Sequence, residues 1–158
     1  LADTLRGKYT NDEIVVILAH EFAHYRLKHI IKLIVINSLV TLGLFFLIFK
    51  TSGYCLALYK LDSLRQLAGL PLVFLYFMFF GIITRPLEAY LSRRFEFDAD
   101  RLALKITQDK EVFISLMSKL AAQNLSDRNP HPLIKFFFFD HPPIDERIKI
   151  AKFIILKS

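Results

Sequence analysis

Two stretches of this chain lose all charge. Residues 33–49, LIVINSLVTLGLFFLIF, have only Asn37, Ser38 and Thr41 as polar side chains, and residues 66–84, QLAGLPLVFLYFMFFGIIT, are equally uncharged. Each run is close to the roughly 17 to 25 residues that cross a hydrocarbon core. The competing reading is a pair of buried core helices, but a small soluble core can hardly wrap two helices that are apolar on every side. The pattern therefore predicts a two-span membrane hairpin over residues 33–84. The remaining segments alternate at helical spacing. Thr10 and Glu13 have capping-box spacing ahead of an apolar run, so a helix is expected over 11–29, able to run straight into the first span. Pro86 suits the first turn of a helix over 86–107. Val112, Phe113, Leu116, Met117 and Leu120 recur at helical spacing and read as core. Residues 124–135 read as a loop. A last helix is expected from Pro142 or Pro143 to about Leu156, completing a helical C-terminal part over 110–158. Phe136 to Phe139 read as core or as a membrane-surface contact. No strand is expected, so the fold class is mostly α.

Composition narrows the class. A length of 158 residues allows one domain, or one domain with a membrane element. A hydrophobic content of 54% excludes general disorder, and Cys55, the single cysteine, excludes a disulfide scaffold. The chain starts at Leu1 without a signal-peptide pattern and reads as a fragment of one longer membrane protein. The net charge of +6 is explained by its placement. Arg26, Lys28 and Lys32 precede the first span, and Arg85, Arg93, Arg94 and Arg101 follow the second. The linker between them carries Lys50, Lys60 and Arg65. Seven against three puts both flanks on the cytoplasmic side. The expected partner is the lipid bilayer. No nucleic-acid motif appears, and no nucleic-acid partner is expected.

The chemistry lies beside the spans. Residues 20–24 read His-Glu-Phe-Ala-His on the first expected helix. Histidines four apart share a helix face, so His20 and His24 can reach one Zn²⁺. Glu21 lies about 100° round the helix. It misses the metal but reaches a water bound there, which suits a general base. A catalytic zinc needs a third protein ligand and an open position. Residues 93–101, RRFEFDADR, supply Glu96, with Asp100 on the same face as a carboxylate that orients a ligand histidine. The plainer reading of Glu96 is an ion pair with Arg93. Asp98 points elsewhere and reads as solvated. A hairpin brings both ligand helices to one membrane face. His29, five past His24, faces elsewhere and reads as an interfacial side chain. His131 reads as structural. His141, at a helix start in His-Pro-Pro, reads as a helix-entry residue or as a donor to a reaction intermediate.

Three motifs together carry a resemblance: His20-Glu21-Phe22-Ala23-His24, Ser92 to Asp100 (SRRFEFDAD), and His141-Pro142-Pro143-Ile144-Asp145-Glu146-Arg147. They resemble the membrane-embedded gluzincin proteases, which include the type I CAAX prenyl endopeptidases and the HtpX-type heat-shock proteases. The likeness extends from Asp3-Thr4-Leu5 to Arg147. It implies a zincin-like helical core, interrupted by the hairpin between the His-Glu-x-x-His helix and the third-ligand helix. It implies one Zn²⁺ per chain on His20, His24 and Glu96, and Glu21 as general base. Asp100 would orient His20, His141 would lie near bound substrate, and Arg147 would anchor that turn. The Phe-Glu-Phe-x-Ala-Asp run and the His-Pro-Pro ending are closer to the CAAX type, which cleaves prenylated C-terminal Cys-a-a-X peptides. The HtpX type degrades misfolded membrane proteins in bacteria, and a membrane scaffold without activity is the third reading. The substrate is a peptide or protein, prenylated on the first reading. The catalytic face is expected in the cytoplasm, at a bacterial inner membrane or at the endoplasmic reticulum.

Overall fold

A computed structural model describes residues 7–64, 67–124 and 130–154. Asp3 to Leu5, Arg65, Leu156 and residues 125–129 of the expected loop lie outside these. Every regular element among the described residues is helical.

Helix α1 is Asn11–Arg26. Its start is fixed by both halves of the capping box: Glu13 N–H donates to Thr10 Oγ1 at 3.3 Å, and Thr10 N–H donates to Glu13 Oε2 at 2.9 Å. The helix does not continue through His29 as its periodicity predicts. Leu27 N–H still reaches Ala23 O, but Lys28 adopts φ 55 and its N–H turns to Tyr25 O. A left-handed lysine costs about 1 kcal/mol, and the turn it makes allows His29 to be buried at 2% exposure.

Helix α2, His29–Tyr59, outruns its uncharged core. The sequence places a linker from residue 50, but Lys50 lies over the rings of Phe46 and Phe49, 5.7 and 6.0 Å from their centroids. Residues 51–59 continue the helix, so Cys55 is helical rather than in a linker. The helix closes on Lys60 at φ 52, with Leu61 N–H bonded to Leu56 O and Lys60 N–H to Ala57 O. A 3₁₀ turn, Leu67–Gly69, leads onward. A Cβ on Gly69 would lie 2.8 Å from Leu64 O, so only glycine allows that approach.

Helix α3 is Leu70–Thr107, with Pro86 in its interior rather than at a start. Proline removes one helix hydrogen bond, and the helix runs on through it. Helix α4, Lys110–Asn124, opens with Val112 N–H on Asp109 Oδ1 at 3.0 Å. A short α5, Pro132–Phe138, occupies part of the expected loop, capped by His131 Nδ1 accepting from Leu133 N–H. His131 is therefore a helix cap. Helix α6 is Ile144–Ile154.

The chain divides into two compact units, residues 31–87 and the rest. In the larger, α4 packs against α1 and α6, and Val16, Leu104, Phe113, Leu116, Met117 and Ala151 form the core. Phe136 and Phe138 are exposed and do not join that core. In the smaller unit, Tyr76 Oη lies 2.6 Å from Thr51 Oγ1 and donates to Cys55 Sγ at 3.2 Å. The most apolar windows of the two long helices are only 6% and 11% buried. Core helices of a soluble protein would be mostly buried, whereas helices that face lipid keep their apolar side chains outward.

Candidate metal centre

The site lies within the larger unit, between α1, α3 and the start of α6. Helical spacing brings His20 and His24 side by side, with their Nε2 atoms 3.1 Å apart. Glu96, on α3, faces both: Oε2 is 3.5 Å from His20 Nε2 and Oε1 is 3.3 Å from His24 Nε2. One donor atom from each of the three residues lies within 4.8 Å of the other two. With zinc–ligand bonds of about 2.0–2.1 Å, tetrahedral neighbours lie about 3.3–3.4 Å apart. The donor set and its spacing fit a tetrahedral zinc.

The charge balance points the same way. Burial opposes charge on His20, but its contacts with Asp100 and Glu96 raise it to about 9. Burial would raise the Glu96 carboxyl, but His141, His20 and His24 hold it far below the usual carboxylate range. Asp100 and Glu96 thus favour positive charge at His20, and a divalent cation would supply such charge beside it.

The surrounding contacts orient the donors. His20 Nδ1 lies 2.9 Å from Asp100 Oδ1, close enough for a strong contact. The contact falls outside hydrogen-bond geometry, so it is a close charge contact rather than a formed hydrogen bond. Asp100 is fully buried, and Arg147 grips it twice, Nε to Oδ2 at 2.7 Å and Nη2 to Oδ1 at 2.6 Å. Burial opposes charge on Arg147, but Asp100 and then Glu96 more than offset it. His141 Nδ1 is 3.3 Å from Glu96 Oε2, and its ring is otherwise largely open. That contact raises the His141 pKa against the effect of burial. Asp98 stands aside, with Arg101 at 3.4 Å and Arg94 at 4.0 Å.

Two side chains have roles that spacing did not disclose. Arg93 is not an ion-pair partner of Glu96. It is buried, and it donates to Lys135 O at 2.9 Å and to Phe139 O, tying the end of α5 to α3 just before His141. A cation at a helix C-terminus also suits the helix dipole. His29 is not interfacial. Its Nδ1 lies 3.1 Å from His24 Nδ1, and its ring stacks on Phe95.

The donors open onto a cleft of about 870 Å³. It is lined by the polar His20, Glu21, His24, Glu96, His141 and Arg147 and by apolar side chains that include Ile17, Leu120 and Phe138.

A two-histidine, one-glutamate donor set on a helical scaffold is that of a metallopeptidase. The chain belongs to peptidase family M48, whose sequence profile matches residues 1–154. It is 33% identical over 156 residues to the uncharacterized metalloprotease YhfN of Bacillus subtilis (strain 168), covering 96% of this chain and 37% of that protein. It is 32% identical over 146 residues to the CAAX prenyl protease 1 homolog of Homo sapiens, covering 90% of this chain and 30% of that one. The crystal structure of S. mikatae Ste24p matches its fold with a TM-score of 0.74 at 25% identity, covering 94% of this chain and 37% of Ste24p. The chain spans about a third of the length of these relatives. Both long helices of this chain are long and apolar enough to cross a membrane.

Proposed function

We propose that this chain carries the catalytic centre of a zinc-dependent membrane endopeptidase, with one Zn²⁺ held by His20, His24 and Glu96. The observation that carries this reading is the 3.1–3.5 Å spacing of the three donors at the wall of the cleft. Bound zinc would supply Lewis acidity, polarising the scissile carbonyl and making water a nucleophile near neutral pH. Glu21 follows His20 on α1 and lines the same cleft. It takes the proton of the attacking water and returns it to the leaving amine. Asp100 holds His20 in orientation, and Arg147 holds Asp100. His141, at the cleft mouth, donates to the substrate oxygen that gains charge during attack. No serine, threonine or cysteine lines the cleft among the described residues, which favours direct attack by water.

The substrate we propose is a prenylated C-terminal peptide. Relatives named CAAX prenyl protease 1 support this, as do the apolar side chains that share the cleft lining with the donors. The basic flanks of the spans support a cytoplasmic catalytic face.

The test is metal analysis of the purified full-length protein beside hydrolysis of one peptide in prenylated and unprenylated forms. Stoichiometric zinc, and a chelator-sensitive preference for the prenylated form, is the expected result. Zinc without hydrolysis would indicate a scaffold. Equal cleavage of both forms would overturn the substrate class and favour a quality-control protease. No zinc and no hydrolysis would overturn the whole reading.

A further inference from the structure

Three features meet at His29. Its side chain is among the most completely buried in the larger unit, at 2% exposure, although imidazole is seldom so enclosed without a polar partner. It stacks on Phe95, with ring centroids 4.4 Å apart and planes 12° from parallel. Its Nδ1 stands 3.1 Å from Nδ1 of His24. An uninterrupted helix would carry a residue five positions on about 140° round from His24. The turn at Lys28, with φ 55, breaks that course, and α2 begins at His29 itself.

The two nitrogens cannot both be donors or both be acceptors. If His24 Nε2 is a metal donor atom, as its position beside His20 Nε2 and Glu96 Oε1 requires, that nitrogen carries no proton. The single proton of neutral His24 is then on Nδ1, and His29 Nδ1 must accept it. We propose that His29 is a positioning residue for His24: it accepts the His24 Nδ1–H, selects the tautomer that presents Nε2 to the metal, and fixes the ring plane. Asp100 stands to His20 as His29 stands to His24. The two ligand rings are thus oriented by different chemistry, one by a carboxylate and one by a neutral nitrogen. Phe95 supports the second arrangement by holding the His29 ring flat against α3, one residue before Glu96.

The inference rests on the metal centre proposed above, and the experiment separates the two. Zinc affinity is measured by competitive chelation in detergent for the parent, His20→Ala, His29→Phe and His29→Asn. Phenylalanine keeps the stack on Phe95 and removes the acceptor, whereas asparagine can place an amide oxygen near the Nδ1 position. The expected result is zinc binding about 10- to 100-fold weaker in His29→Phe, as for other partners of ligand histidines, with most of the loss recovered in His29→Asn. Parent-like affinity in His29→Phe overturns the proposal, and so does equal weakening in both variants, which would mean packing alone. A parent with no zinc that His20→Ala can remove overturns the metal centre itself. Should the Phe variant not fold, the zinc-loaded parent decides through nitrogen-15 NMR of its labelled histidines. His24 protonated on Nδ1, with a scalar coupling across the hydrogen bond to His29 Nδ1, is expected. His24 protonated on Nε2, or no such coupling, overturns the proposal.

Discussion

Arg147 closes on Asp100 with both prongs of its guanidinium, at 2.7 and 2.6 Å, and Asp100 has no exposure to solvent. The same Oδ1 that accepts from Arg147 lies 2.9 Å from His20 Nδ1. The pair therefore joins two tasks, clamping α6 to α3 and holding the carboxylate that faces a candidate metal ligand. Arg147→Met should leave Asp100 as an uncompensated buried charge. Breaking one half of a buried pair costs about 3–5 kcal/mol, so the unfolding free energy should fall by that amount. Arg147→Lys keeps the charge but loses the fork and should fall between the two. A Met variant as stable as the parent would show that the pair is not a clamp.

Glu21→Gln should keep the metal and lose catalysis. The amide preserves shape but cannot take up a proton at neutral pH. Loss of a general base costs about 10²- to 10⁴-fold in rate. The check is turnover beside zinc content in one preparation, and near-normal turnover would place the base elsewhere.

What could be read in advance follows from the range of each interaction. His20 and His24, and Glu96 and Asp100, were legible because one helical turn fixes each pair locally. That the two pairs meet depends on a non-local return of the chain, which only the paired apolar runs signalled. His29 was misread because a continuous helix was assumed, and one left-handed residue, Lys28, redirects everything after it. Pro86 was misread as a helix start because its missing donor suits that place, yet α3 carries it internally. Arg93 was weighed only against nearby carboxylates. Its real partners, Lys135 O and Phe139 O, are backbone carbonyls some forty residues away that no side-chain pattern reveals.

Glu13 should give the fold an acid-sensitive step. Burial alone would raise its pKa, but Lys119, Thr10 N–H and Ser115 bind the carboxylate and lower it from 4.5. A depressed carboxyl contributes stability above its ordinary pKa and loses it as pH falls through the lowered value. The zinc-free protein should therefore lose more stability between pH 7 and acid than Glu13→Gln does. Parallel losses in the two proteins would assign the acid step to other carboxylates.

Cys55 should report which side of the membrane the end of α2 faces. It lies four residues before the helix end at Tyr59, about 6 Å at 1.5 Å per residue. Tyr76 donates to its sulfur at 3.2 Å. With Cys55 as the only thiol, an impermeant maleimide added outside sealed cells should label it slowly, and faster in Tyr76→Phe. Labelling only after permeabilisation would reverse the proposed orientation.

Glu96→Ala should weaken zinc far more than Asp100→Asn. Glu96 offers an oxygen to each imidazole pocket, 3.5 Å from His20 Nε2 and 3.3 Å from His24 Nε2, so its removal takes away one of three protein donors. Asp100 is farther from the donor centre and touches the opposite nitrogen of His20. Asparagine can still accept from that nitrogen, but without the charge that favours the ring's binding form. Such changes behind a ligand cost about 10- to 100-fold in affinity or activity. Arg147 adds a second effect, because its bidentate partner becomes neutral while its own charge stays buried. Asp100→Asn should thus lower stability as well as zinc affinity, whereas Glu96→Ala should lower chiefly the affinity. Competitive chelation and thermal unfolding of both variants read the two quantities separately. Equal zinc losses would make Asp100 a ligand. Unchanged affinity in both would mean that α3 does not present its carboxylates to the metal.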